Sequence, residues 1–127
     1  MMEYAAPGDP SVLTHSKIAE DLKAIAPDVP RYMVEFAFGE IYTRPGLNKR
    51  EQALVTIASL VTLGADPQVE LHIHTGLTAG LSKEEVVAGI VHLLPYVGFP
   101  RVLNTLYIVK KVLAQRGVDT MEANSAK

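Results

Sequence analysis

Apolar residues recur along the chain with a helical period. Val12, Ile18, Leu22 and Ile25 lie along one face of a helix that Ser11 would cap and that runs to about Ala26. Met33, Val34, Phe36, Ala37, Phe38 and Ile41 predict a second helix over Val29–Tyr42, with Pro27 and Pro30 before it and Arg44-Pro45-Gly46 after it. Asn48 caps a third, KREQALVTIASLVTLG, whose charges fall in its first turn. Val55, Thr56, Ile57, Val61 and Thr62 are β-branched, so a buried strand competes with this reading. A run of about 15 residues exceeds the usual strand and favours a helix, closed by Gly64.

Asp66-Pro67 reads as an Asp cap with Pro at the first helical position, opening a fourth helix that ends at Gly80. Ser82-Lys83-Glu84-Glu85 is a capping box for a fifth helix, which continues to about Tyr96. Pro95 lacks an N–H and crowds the Val91 carbonyl, so this helix should bend or stop beside His92. Gly98-Phe99-Pro100 starts a sixth helix, running to about Arg116 before Gly117.

No stretch alternates with a period of two. The pattern predicts an all-α domain of six helices over residues 11–117, with an irregular arm at 1–10 and a polar tail at 118–127. The third and fifth helices are apolar over more than one face. In so small a domain, that surplus predicts a homo-oligomer.

Composition narrows the chemistry. The 127 residues fit one domain, and the formal net charge of −2 comes without any extended basic run. Nucleic acid and anionic membrane are therefore not the expected partners. There is no cysteine, hence no disulfide, thiol nucleophile or thiolate metal site. No apolar run reaches the roughly 18 residues of a membrane span, and MMEYAAPGDPS has no signal pattern, so a cytoplasmic protein is expected.

Three of the four histidines fall between Asp66 and Arg101. At about 100° per residue, Val69, Ile73, Gly76, Leu77 and Gly80 share the core face of the fourth helix. His72 and His74 then flank that face roughly 160° apart and cannot readily chelate one metal. His74, one turn from Glu70, reads as that residue's partner on a partly wet face. His72 reads either as a boundary histidine or as a proton-transfer group. On the fifth helix, Glu85, Ala88, Gly89, His92 and Tyr96 form a stripe with small residues at its centre. It is either a pocket wall or a seam against another helix.

From Leu47 to about Leu113 the chain resembles the carboxymuconolactone decarboxylase family. The likeness rests on LNKREQALVTIASLVTLG, VELHIHTGLTAGLSKEE and IVHLLPYVGFPRVLN in that order. The resemblance implies an alkylhydroperoxidase-like all-α fold and assembly as a trimer or hexamer. The thiol-dependent branch of that superfamily carries Cys-x-x-Cys where this chain has Ala65 and Gln68, and an acidic residue where it has Ala53. Thiol peroxidase chemistry is therefore excluded.

The remaining branch implies a decarboxylase of a small carboxylated lactone that uses no metal and no organic cofactor. In that analogy His72 donates the proton, while His92 and Tyr96 polarise or position the lactone. Arg50 or Arg101 anchors substrate carboxylates, and Glu51 is a second acid/base candidate. A proton-transfer isomerase and a non-catalytic oligomeric binding protein are the alternatives. The latter would have its pocket closed by side chains.

Overall fold

The computed structural model describes residues 14–118; the arm at 1–10, Ser11 and the tail from 119 lie outside the described residues. The first helix, α1, is His15–Leu22. Its cap is Thr14, whose hydroxyl accepts from the Lys17 N–H at 3.0 Å. The helix ends earlier than its apolar spacing predicted, and Ile25 beyond it is exposed.

Helix α2, Asp28–Tyr32, runs directly into a π-helical segment, Met33–Ile41. The wide turn is visible where the Tyr42 N–H reaches back five residues to the Ala37 carbonyl at 2.8 Å. π-Helical turns re-aim side chains and frequently sit at functional sites. Here the segment brings the rings of Phe38 and Tyr42 to 5.2 Å of one another.

Helices α3, Lys49–Leu63, and α4, Asp66–Thr78, form an antiparallel hairpin. Asn48 and Glu51 make a reciprocal capping box at the start of α3. Gly64 closes it with φ +74°, a conformation that suits glycine. The cap of α4 is Ala65, not Asp66, and no side chain bonds there. Asp66 instead begins the helix and meets the positive end of its dipole.

Helix α5, Lys83–Val91, opens on the Ser82/Glu85 capping box. It stops at His92, followed by a turn and the single-turn helix α6, Leu94–Val97, with Pro95 in its first turn. The fifth predicted helix is thus two pieces broken beside His92, as the proline required. Helix α7, Phe99–Gln115, then crosses α4 and α5. The chain stays on the core through Val118, whose N–H bonds to the Leu113 carbonyl at 2.8 Å.

Ala53, Ile57 and Val61 of α3, Val69 and Ile73 of α4, Val86 and Ile90 of α5, and Val102, Val109 and Val112 of α7 make the buried core. The fold is all-α, with no strand among the described residues. No described helix is long and apolar enough to cross a membrane. The small-residue stripe of α5 lies against α3: a Cβ on Gly89 would come within 3.2 Å of Leu54 Cδ2. At that position the stripe packs on α3 and also walls a groove lined by Gly89 and His92.

Candidate functional site

His72 projects from α4 into a recess walled by four elements. His15 comes from α1, Phe38 and Tyr42 from the π-helical segment and its end, Lys49, Ala53 and Thr56 from α3, and Thr75 from α4. The ring of His15 stands edge-on to His72, with centroids 5.5 Å apart and planes at 76°. His15 also meets Phe38 edge-on at 4.9 Å. Tyr42 and Thr56 approach through their hydroxyls at 3.5 Å. Thr75 turns its hydroxyl to the His72 carbonyl at 3.1 Å and helps fix the backbone there.

Burial drives the His72 pKa down from 6.5 to about 4, and the neighbouring His15 pushes in the same direction. His72 is therefore a neutral imidazole at neutral pH, able both to accept and to donate a hydrogen bond. Among the described residues of the lining, Lys49 is the fixed cation and none is a carboxylate. The Lys49 ammonium lies 5.9 Å from the Tyr42 ring centroid and 3.5 Å from the Tyr42 carbonyl oxygen.

The recess itself is small, about 10 Å³, room for about one water. A second cavity of about 450 Å³ adjoins it and shares Tyr42 and Thr56 as walls. Its other walls include Ile41, Arg44, Leu47, Gln52 and Val55. Gln52 donates to the Tyr42 carbonyl at 3.0 Å, holding the residue that separates the two spaces.

The other predicted site residues lie elsewhere in the chain. His92 and Tyr96 contact each other at 5.9 Å between ring centroids, and both are exposed. His92 lines a different groove, bounded by Leu54, Ala58, Val86 and Gly89, and is not among the described residues lining the His72 recess. Arg50 is tied to the Gly80 carbonyl at 2.9 Å and to the Glu85 carboxylate, joining α3 to the start of α5. The pKa of Glu85 is lowered, first by the Ser82 backbone N–H; burial opposes this, and the Arg50 charge adds to the lowering. Glu51 uses its carboxylate on the Asn48 N–H at 2.9 Å. The Arg101 guanidinium packs over Gly64 at the end of α3, where any Cβ would collide with it.

His74 corrects the sequence reading. It is not on a wet face but fully buried, with Nε2 2.8 Å from Gln115 Oε1 and Nδ1 3.3 Å from Arg116 Nη1. Arg116 can only donate, so Nδ1 accepts and Nε2–H donates. Glu70 pairs instead with Lys111 at 3.0 Å and accepts from Gln115 at 3.4 Å. The helical wheel placed His74 on the flank correctly, but α7 covers that flank.

Sequence reasoning missed His15, Tyr42, Lys49 and Thr56 as site residues. Nothing local singles out His15; only the packing of α1 against the π-helical segment carries it to His72.

The profile of the carboxymuconolactone decarboxylase family matches residues 27–111, twenty residues further toward the N-terminus than the motifs alone indicated. A 4-carboxymuconolactone decarboxylase of Acinetobacter baylyi is 30% identical over 105 residues, covering 83% of this chain and 78% of that protein. An uncharacterized 15.0 kDa protein of Paracoccus denitrificans is 29% identical over 96 residues, covering 74% and 72%. A nitrosuccinic acid decarboxylase of Metarhizium robertsii is 24% identical over 81 residues, covering 64% and 57%. The chain belongs to the carboxymuconolactone decarboxylase family. A decarboxylase-like function follows at the level of the family.

Proposed function

We propose that this chain is a decarboxylase-like enzyme acting on a small carboxylated lactone or a related conjugated acid, with His72 as its proton-transfer group. One observation carries the reading: His72 is a neutral imidazole in a recess that Lys49, a cation, lines together with the hydroxyls of Tyr42, Thr56 and Thr75. Such a recess favours an anionic ligand.

The chemistry balances without any further reactant. The bond from the ring carbon to the carboxylate breaks, CO2 leaves, and the electron pair passes into the conjugated ring ester as a dienolate. Lys49 faces the negative charge that grows on the ester oxygen. A bound carboxylate offsets the burial and repulsion that keep His72 neutral, so His72 gains a proton from water as the substrate settles. It then gives that proton to carbon.

The adjoining 450 Å³ cavity falls within the range of about 300–1,000 Å³ common for ligand sites. Rotation of Tyr42 would join it to the recess. In this reading Arg50, Glu51 and Arg101 support the scaffold, and His92 and Tyr96 belong to another surface.

The size of the recess favours a second reading, a non-catalytic binding protein whose pocket is closed by side chains. The two separate on incubation with γ-carboxylated butenolides. An enzyme releases CO2 catalytically; a binding protein perturbs its Tyr42 and His72 resonances without releasing any. Hydrogen exchange without CO2 would instead mark an isomerase.

A further inference from the structure

We propose that the cavity of about 450 Å³ beside the His72 recess binds a compact organic acid, with Arg44 as the residue that pairs with its carboxylate. The proposal deepens the reading of the chain as acting on a small acid and rests on it for the fate of that acid; binding itself is measured without turnover. Local chemistry sets Arg44 at this place. The Thr43 hydroxyl donates to the Gly39 carbonyl at 2.8 Å and the Arg44 N–H to the Ile41 carbonyl at 3.2 Å, which closes the π-helical segment in a turn. Pro45 follows and disfavours any helical continuation at Arg44. Among the described residues of the cavity lining Arg44 is the one charge, and it makes no ion pair with any described residue. Arg50 and Arg101, the anchors that the sequence offered, do not line this cavity, and Arg50 is already tied to Glu85.

Exposure gives the cavity a direction. Arg44 and Leu47 are exposed and form its rim, whereas Tyr42 and Thr56 are partly buried and form its floor. Ile41 and Val55 supply apolar wall between them. The matching ligand has a carboxylate at one end and a compact hydrocarbon body against Ile41, Leu47 and Val55. An oxygen at its far end meets the hydroxyls of Tyr42 and Thr56, which also wall the His72 recess. A guanidinium takes a carboxylate through two parallel N–H bonds, and a pair on an exposed rim is screened by salt. One guanidinium above apolar walls suits a monoanion of this kind better than a multiply charged phosphate, which calls for several donors.

The test is a titration of the full chain with cyclohexanecarboxylate and with the neutral cyclohexanecarboxamide, followed by backbone amide NMR. Shifts are expected over residues 41–56. The acid should bind about 10-fold tighter than the amide at low salt, and added salt should shrink that preference. Arg44→Gln should bring the acid to the affinity of the amide and leave the amide unchanged. Equal affinity of the wild type for acid and amide, or acid shifts centred on another surface, would overturn the site. So would the absence of a saturable shift up to about 10 mM acid. Shifts of the same amides with protein concentration alone would assign the cavity to a contact between copies and overturn it too. If Arg44→Gln fails to fold, the wild-type comparison of acid and amide decides. Acid binding here without CO2 release from a butenolide refutes turnover and leaves this site standing; CO2 release without acid binding here does the reverse.

Discussion

His15 stands edge-on to His72, ring centroids 5.5 Å apart, although 57 positions separate them in sequence and α1 lies outside the family-matched segment. Burial, and after it the neighbouring His15, keeps that imidazole neutral.

Stability should therefore fall with acid. His72 has a folded-state pKa near 4 against an ordinary 6.5, so the unfolded chain binds more protons between those values. The contribution is fully present above about pH 6.5 and is lost as pH falls toward 4, amounting to about 3 kcal/mol at pH 4. Urea denaturation at several pH values should show this slope, and His72→Gln should flatten it. Parallel curves for the two proteins would refute the assignment.

His74 should behave as a structural residue. Replacing it with Ala empties a fully buried site and removes its hydrogen bonds to Gln115 and Arg116, and should cost about 2–4 kcal/mol. The protein that remains folded should keep the titration behaviour of His72. A cost below about 0.5 kcal/mol would place His74 outside the core network.

Much of this fold is legible in the sequence because its signals are local. Asn48 with Glu51, Ser82 with Glu85, and Pro95 beside His92 each act within a turn, and each fixed an element boundary in the structure. The π-helical segment carries no comparable local signal, and its consequence, Phe38 set between His15 and Tyr42, depends on tertiary packing. The site follows the same division. His72 was readable as a flanking histidine, whereas His15, Lys49 and Thr56 meet it only through the assembly of α1 and α3 around it. His74 misled because periodicity reports direction and not what covers that direction.

Gly64 should resist substitution. Its φ of +74° disfavours side chains, and a Cβ would lie 1.7 Å from Arg101 Nη1. Gly64→Ala should cost about 1–3 kcal/mol in denaturant unfolding. Arg101→Gln should relieve part of that penalty in the double variant; strict additivity would contradict the packing described for Arg101.

Assembly should use the exposed stripe of α7. Phe99, Leu103 and Tyr107 follow one another at one-turn spacing and are 65%, 50% and 73% exposed. Light scattering should give a mass that is a multiple of 13.8 kDa, and Leu103→Glu with Tyr107→Glu should reduce it to the single-chain value. A monomeric wild type would remove the interface from the account.

Lys49 should matter to the rate more than to folding. Lys49→Met should lower kcat for CO2 release by about 10- to 100-fold while shifting stability by less than about 0.5 kcal/mol. Lys49→Arg should restore part of the rate by returning the charge.

The most direct measurement compares CO2 release from a γ-carboxylated butenolide by the wild type and by His72→Gln, at matched folded concentration. The account predicts catalytic release by the wild type and a fall in kcat/KM of about 10²- to 10⁴-fold in the variant. Equal turnover by the two proteins would contradict the assignment of proton transfer to His72.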